Sequence, residues 1–436
     1  MTGGPQDEHA PRADGTGGPP RRPGPRYGRG GRSPGRRAER WSLPGRLVAW
    51  GLRHPESILA LFGRRRPVEL DGRVLDRSTQ AMLAFVDRVV PLLGRVVPLV
   101  SRAVPGGGPG SSIFTDRRQL RLGARLAMPT RTDVYAVTRR IAGPAGGPDT
   151  RVRIYRRFGT APDAATPDDR RSSAVVFYHG GGWTSGDLES HDAPCRLLAA
   201  VTGCVVVAVE YRLAPEDPFP AAVEDAINAY RWVHAHTDEL GVAPGRVGVM
   251  GDSAGGNLAA VVAQQTRPGH RPRTGPGRSA EPAAPPPVAQ CLLYPGVDAH
   301  MDTTSVGLFA DGFMLTRGAM EAFREAYVPD PEDWESSLVS PLLASDVSGV
   351  APALVVTAGF DPLRDEGAAY AGRLRDEGVE VTYRCYDDQI HGFFSMGLLP
   401  GGMALSTEIC EAAGRLVRRS PVPVDPSADG GAVGAG

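Results

Sequence analysis

No lysine occurs in the 436-residue chain, and all 49 of its basic residues are arginine. Arginine enrichment is therefore a bias of the whole chain. The run RYGRGGR at Arg26–Arg32 is similar to Arg-Gly segments that bind RNA, yet it carries no local signal for nucleic acid. Cysteine is scarce as well, since Cys195, Cys204, Cys291, Cys385 and Cys410 are odd in number and show no C-x-x-C spacing. That pattern argues against a disulfide framework or a cysteine zinc site, and it predicts reduced thiols in a cytoplasmic protein. A long charge-free apolar run is also missing. The most apolar stretch, Ala81–Val100, is interrupted by Asp87, Arg88, Pro91 and Arg95. It is too charged for a membrane span and reads as an amphipathic helical region covering another part of the protein. The opening MTGGPQDEHAPRADG lacks the apolar core of a secretion signal.

What is present divides the chain unevenly. Formal charge is zero overall, but residues 1–66 hold 14 Arg against five acidic residues, +9, which leaves −9 for the rest. Residues 1–44 contain ten Gly and eight Pro and cannot bury enough apolar surface to offset ordering, so they are expected to be disordered. Trp41–Phe62 reads as an amphipathic helix, either packed on the body or resting on a membrane surface. We therefore expect a basic head over 1–66, a folded domain over 67–420 and a loose tail over 421–436. Within the domain, 267–287 has Gly or Pro at ten of 21 positions and is expected to be an exposed loop.

Between these segments, short apolar runs alternate with helical periodicity. Ala174–Tyr178, Cys204–Tyr211, Arg246–Gly251, Gln290–Pro295 and Ala353–Gly359 read as central parallel strands covered on both faces. Val379–Tyr386 alternates and is expected nearer an edge, while DVYAVTRRI and RVRIYRRF are expected to make an antiparallel start. Val223, Ala226, Ile227 and Tyr230 mark a crossover helix. The fold class is α/β with a mostly parallel central sheet flanked by helices.

Gly251-Asp252-Ser253-Ala254-Gly255 lies between a predicted strand and a predicted helix, the context that G-x-S-x-G demands. Ser253 is the candidate nucleophile, and Gly251, Ala254 and Gly255 are small because the turn brings backbone close to backbone. A serine needs a base supported by an acid, expected in the chain order nucleophile, acid, histidine. His179, His191, His234 and His236 precede Ser253, His270 lies in the Pro-rich loop, and His300 comes before the acid candidates; His391 remains. Asp361 follows an apolar strand directly and is favoured as the acid over Asp365, Asp387 and Asp388. The glycines of HGGGW at His179–Trp183 then acquire a purpose, since a loop without side chains offers backbone N–H groups to an oxyanion. Gly181 and Gly182, with Ala254, are the candidate donors; Gly180 and His179 support the loop.

HGGGW, VAVEYRLAPEDPFPAAVEDA at Val207–Ala226, GDSAGGNLAA at Gly251–Ala260, DPLRDEG at Asp361–Gly367 and HGFF at His391–Phe394 together resemble the hormone-sensitive lipase family of α/β-hydrolases. The likeness runs from about Val68 to Val417. It implies the α/β-hydrolase fold with a helical cap, formed here by about 68–130 and 298–343. It also implies serine carboxylesterase activity on a small-molecule ester, with Ser253, Asp361 and His391 as the catalytic set and no cofactor or metal. Tyr211, Arg212 and Glu216 have no catalytic role by that analogy. Phe309, Phe313, Met314 and Leu315 suggest an apolar acyl pocket for a neutral short- or medium-chain ester. Amide or formamide hydrolysis uses the same constellation. A non-catalytic binder of the same fold loses the histidine, which is present here. Neither a nucleic-acid partner nor a transmembrane segment is expected.

Overall fold

The computed structural model describes residues 39–40, 53–61, 64, 66–96, 117–159, 171–269 and 284–419. The expected head over 1–66 and Pro-rich loop fall largely outside these residues, and the tail over 421–436 wholly so.

Eight strands form the main sheet: β1 (Val134–Ile141), β2 (Thr150–Arg157), β3 (Ser172–Tyr178), β4 (Val205–Glu210), β5 (Val242–Asp252), β6 (Gln290–Leu293), β7 (Ala353–Phe360) and β8 (Val381–Ile390). Their order across the sheet is β8-β7-β6-β5-β3-β4-β2-β1. β2 pairs antiparallel with both β1 and β4, and every other neighbouring pair is parallel. Composition explains the layout. All eight residues of β7 are buried, as a strand with helices on both faces requires, whereas eight of the ten residues of β8, at the edge, are half-buried or exposed. β5 begins four residues before the apolar run read from the sequence, because Val242 pairs with Ser172 despite the turn-forming Ala-Pro-Gly that follows.

Side chains alternate between two cores. Ala174, Val176 and Tyr178 of β3 face helices α5 (Ala221–Ala235), α6 (Ala254–Gln265) and α9 (Arg364–Asp376). Val175 and Phe177 face α4 (Asp192–Thr202) and α10 (Gly402–Arg419). Every residue of α6 is buried, which suits a helix apolar on all sides and wedged directly on the sheet behind Ser253.

Parallel pairing brings the carboxyl ends of β3, β5, β7 and β8 to one rim. HGGGW follows β3, Ser253 follows β5, Asp361 follows β7 and His391 follows β8. Two further groups of elements stand against this rim. One comprises α1 (Pro55–Leu61), a short hairpin pairing 69–70 with 73–74, and α2 (Arg77–Val96). Its Leu59, Leu75, Ala81 and Met82 share an apolar cluster with Phe309, Phe360 and Ile390. The other comprises α7 (Thr304–Leu308) and α8 (Arg317–Tyr327), the latter started by Thr316, whose hydroxyl accepts from Ala319 N–H at 3.1 Å. α3 (Arg117–Ala127) anchors to the rim through Arg117, which donates to the Thr184 carbonyl and pairs with Glu216 at 2.7 Å. Among the described residues, no helix is long and apolar enough to cross a membrane.

Candidate active site

Ser253 sits between the last residue of β5 and the first of α6 with φ 56 and ψ −122, a left-handed conformation that a non-glycine residue adopts only under constraint. The constraint is close packing. A Cβ on Gly255 would collide with the Tyr178 carbonyl of β3, so only glycine lets α6 start so near the sheet. Ser253 N–H donates to the Leu293 carbonyl at 2.8 Å, and the half-buried side chain is lifted clear of the sheet rim.

His391 Nε2 lies 2.9 Å from Ser253 Oγ, and its Nδ1 lies 2.8 Å from Asp361 Oδ2. The carboxylate accepts from Nδ1–H, which leaves Nε2 free to accept from the serine hydroxyl. Asp361 has no exposed surface, and its other oxygen accepts from Leu363 N–H at 2.9 Å. The remaining carboxylate candidates are engaged elsewhere: Asp365 with Arg364 and Ser305, Asp387 with Arg73, and Asp388 with Gln389.

The glycine loop is held from beneath. Gly180 N–H donates to Asp252 Oδ1 at 3.0 Å, and the Tyr211 hydroxyl donates to the His179 carbonyl at 2.6 Å. The His179 ring stacks on Tyr211 at 4.2 Å, and burial, with the neighbouring His191, lowers its pKa to about 4. A neutral imidazole is therefore structural here. Burial alone raises the Asp252 carboxyl, but His191 and the Gly180 amide outweigh it and leave the group below its ordinary value. Gly181 and Gly182 take φ +122 and +60, and a Cβ on Gly182 would enter the Phe323 ring of α8. Among the described residues, the N–H groups of Gly181, Gly182 and Ala254 have no acceptor. Arg212 supports the same rim by gripping the buried Asp225 at 2.9 Å.

Residues 175–395 match the family described as alpha/beta hydrolase fold. The chain is 42% identical over 355 residues to the carboxylic ester hydrolase LipN of Mycobacterium tuberculosis, covering 81% of this chain and 86% of that relative. The chain belongs to the hormone-sensitive lipase-like family of α/β-hydrolases. This family member is also 37% identical to an ethyl acetate hydrolase of Pseudomonas putida, over 56% of this chain and 72% of that one. Among solved structures, the hyperthermophilic esterase of Pyrobaculum calidifontis matches with TM-score 0.60 and 36% identity, over 76% of this chain and 98% of that one.

Beside Ser253 this hydrolase has a cavity of about 60 Å³, lined mostly by apolar side chains. Of the four residues read from the sequence as an acyl pocket, only Leu315 lines it. Phe309, Phe313 and Met314 instead pack with Phe360 under α2. Met301, Met320, Phe323 and Leu363 take their place. Sequence reasoning also missed Glu366, which lines the cavity almost fully buried and accepts from Val297 N–H at 2.7 Å. Nothing in the spacing of DPLRDEG singles it out, since it stands five residues after Asp361, off the face that a helical repeat would share. Among the described residues, no group of three His, Cys, Asp or Glu side chains is placed to hold a metal ion.

Proposed function

We propose that the protein is a serine carboxylesterase that hydrolyses neutral short- to medium-chain esters through an acyl-enzyme, with a helical cap formed by about 68–130 and 298–343. The observation that carries this reading is the hydrogen-bonded chain from Ser253 through His391 to the enclosed Asp361, 2.9 and 2.8 Å in its two links. The names of the relatives, a carboxylic ester hydrolase and an ethyl acetate hydrolase, support the ester as substrate.

In this mechanism Ser253 Oγ attacks the ester carbonyl as His391 Nε2 takes its proton. Asp361 holds the ring in the required tautomer and stabilises the imidazolium. Negative charge develops on the carbonyl oxygen, where the free N–H groups of Gly181, Gly182 and Ala254 receive it. The α6 N-terminus adds its positive dipole end. Proton return to the alkoxide leaving group releases the alcohol. A water deprotonated by His391 then attacks the acyl-serine and frees the acid. Hydrolysis of p-nitrophenyl butyrate by the purified protein, abolished by Ser253→Ala with an unchanged circular dichroism spectrum, is the expected result. Turnover retained in that variant rejects the assignment.

A further inference from the structure

Polar atoms buried in a protein almost always find hydrogen-bond partners, and one left without a partner is destabilising. Among the described residues, four side-chain atoms without a partner belong to residues that line the cavity beside Ser253: Trp183 Nε1, Arg324 Nε, Tyr327 Oη and Glu366 Oε2. Tyr327 and Glu366 are each only 1% exposed. The set is rigid. The Trp183 and Tyr327 rings stack at 4.6 Å with an interplanar angle of 6°, and the Arg324 guanidinium lies 3.9 Å over the Trp334 ring. Glu366 is pinned through its other oxygen by the Val297 and Asp298 amides. A purely hydrocarbon acyl chain offers none of these groups a partner.

Resting on the esterase reading above, we propose that this cavity is built for an acyl group bearing a neutral oxygen function, a hydroxyl or keto group. Trp183 Nε1 and Arg324 Nε are donors and Tyr327 Oη can donate, which suits an oxygen acceptor. The acidic Asp298 lines the same cavity and opposes a substrate carboxylate, while Arg324 is engaged by the Ala299 carbonyl and the Trp334 ring. Burial raises the Glu366 carboxyl well above its ordinary value, which favours the protonated form that can donate as well as accept.

The test compares kcat/KM for racemic p-nitrophenyl 3-hydroxybutyrate and p-nitrophenyl butyrate on the same preparation of full-length protein. One satisfied hydrogen bond corresponds to a preference of roughly tenfold for the hydroxy ester. Tyr327→Phe and Trp183→Phe, each checked for an intact thermal melt, are expected to bring the ratio of the two esters toward one. A wild-type ratio of one or less overturns the inference while butyrate turnover leaves the esterase reading standing. A preference undiminished in both variants overturns it as well. Failure to turn over either ester removes the esterase reading and this inference with it.

Discussion

His391 joins two residues from distant parts of the chain: its Nδ1 lies 2.8 Å from Asp361, which has no contact with solvent, and its Nε2 lies 2.9 Å from Ser253. Enclosing the acid makes the Asp361–His391 bond short, specific and unscreened by water, so the ring has one tautomer and one orientation.

Replacing Asp361 by Asn leaves shape unchanged but allows the amide to donate to Nδ1, which turns Nε2 into a donor facing the serine. By the logic of serine hydrolases, kcat on p-nitrophenyl butyrate falls by about 10⁴. A loss smaller than roughly tenfold contradicts the orienting role assigned to this carboxylate.

Gly182→Ala places a methyl group in the Phe323 ring at a backbone φ of +60. Displacement of this amide removes one proposed oxyanion donor, and kcat falls by about 10²–10³. Pairing the change with Phe323→Ala relieves the collision without relieving the dihedral and recovers only part of the loss. Full recovery shows that crowding, and not the amide's position, governs the effect.

Two histidines tie stability to pH. The pKa values of His179 and His234 are lowered from 6.5 to about 4, both chiefly by burial. Between these values the unfolded chain binds protons that the folded one refuses, so stability falls as pH drops through the window and is fully present above about 6.5. For fully buried His179 the effect is on the order of 3 kcal/mol. Glu366, whose carboxyl is raised, acts in the opposite sense. The discriminating measurement is therefore the difference in urea midpoint between pH 7.5 and pH 4.5 for wild type and for His234→Gln. The drop is expected to be smaller in the variant, and an equal drop argues against the histidine as its source.

The sequence was most informative where chemistry and chain geometry coincide. Ser253 is flanked by an apolar run and a helical pattern, and Asp361 follows an apolar strand directly, so both were legible from local order alone. Gly181 and Gly182 stood out because no ordinary turn needs three consecutive glycines, and their oxyanion role is the proposal made above. The cavity wall was less legible. Glu366 lies on a helix with apolar residues on more than one side, and although Phe323 belongs to the single apolar face of α8, only tertiary packing decides that this face meets Ser253. For the same reason Phe309 and Phe313, which look like substrate contacts in sequence, are spent on Phe360. The start of β5 was hidden by Pro244 and Gly245, whose breaker signal is overridden by pairing with β3.

Phe360 and Ile390, the residues immediately before Asp361 and His391, share an apolar cluster with Leu75 and Met82, and Asp76 N–H donates to the Asp388 carbonyl at 3.0 Å. Two rim loops near the end of the polypeptide are thus braced by one near its beginning, and closing so long a loop is entropically slow. On the ribosome, the upstream segment emerges well before the surface it must grip exists. Competence for hydrolysis is consequently among the last properties this chain acquires as it matures.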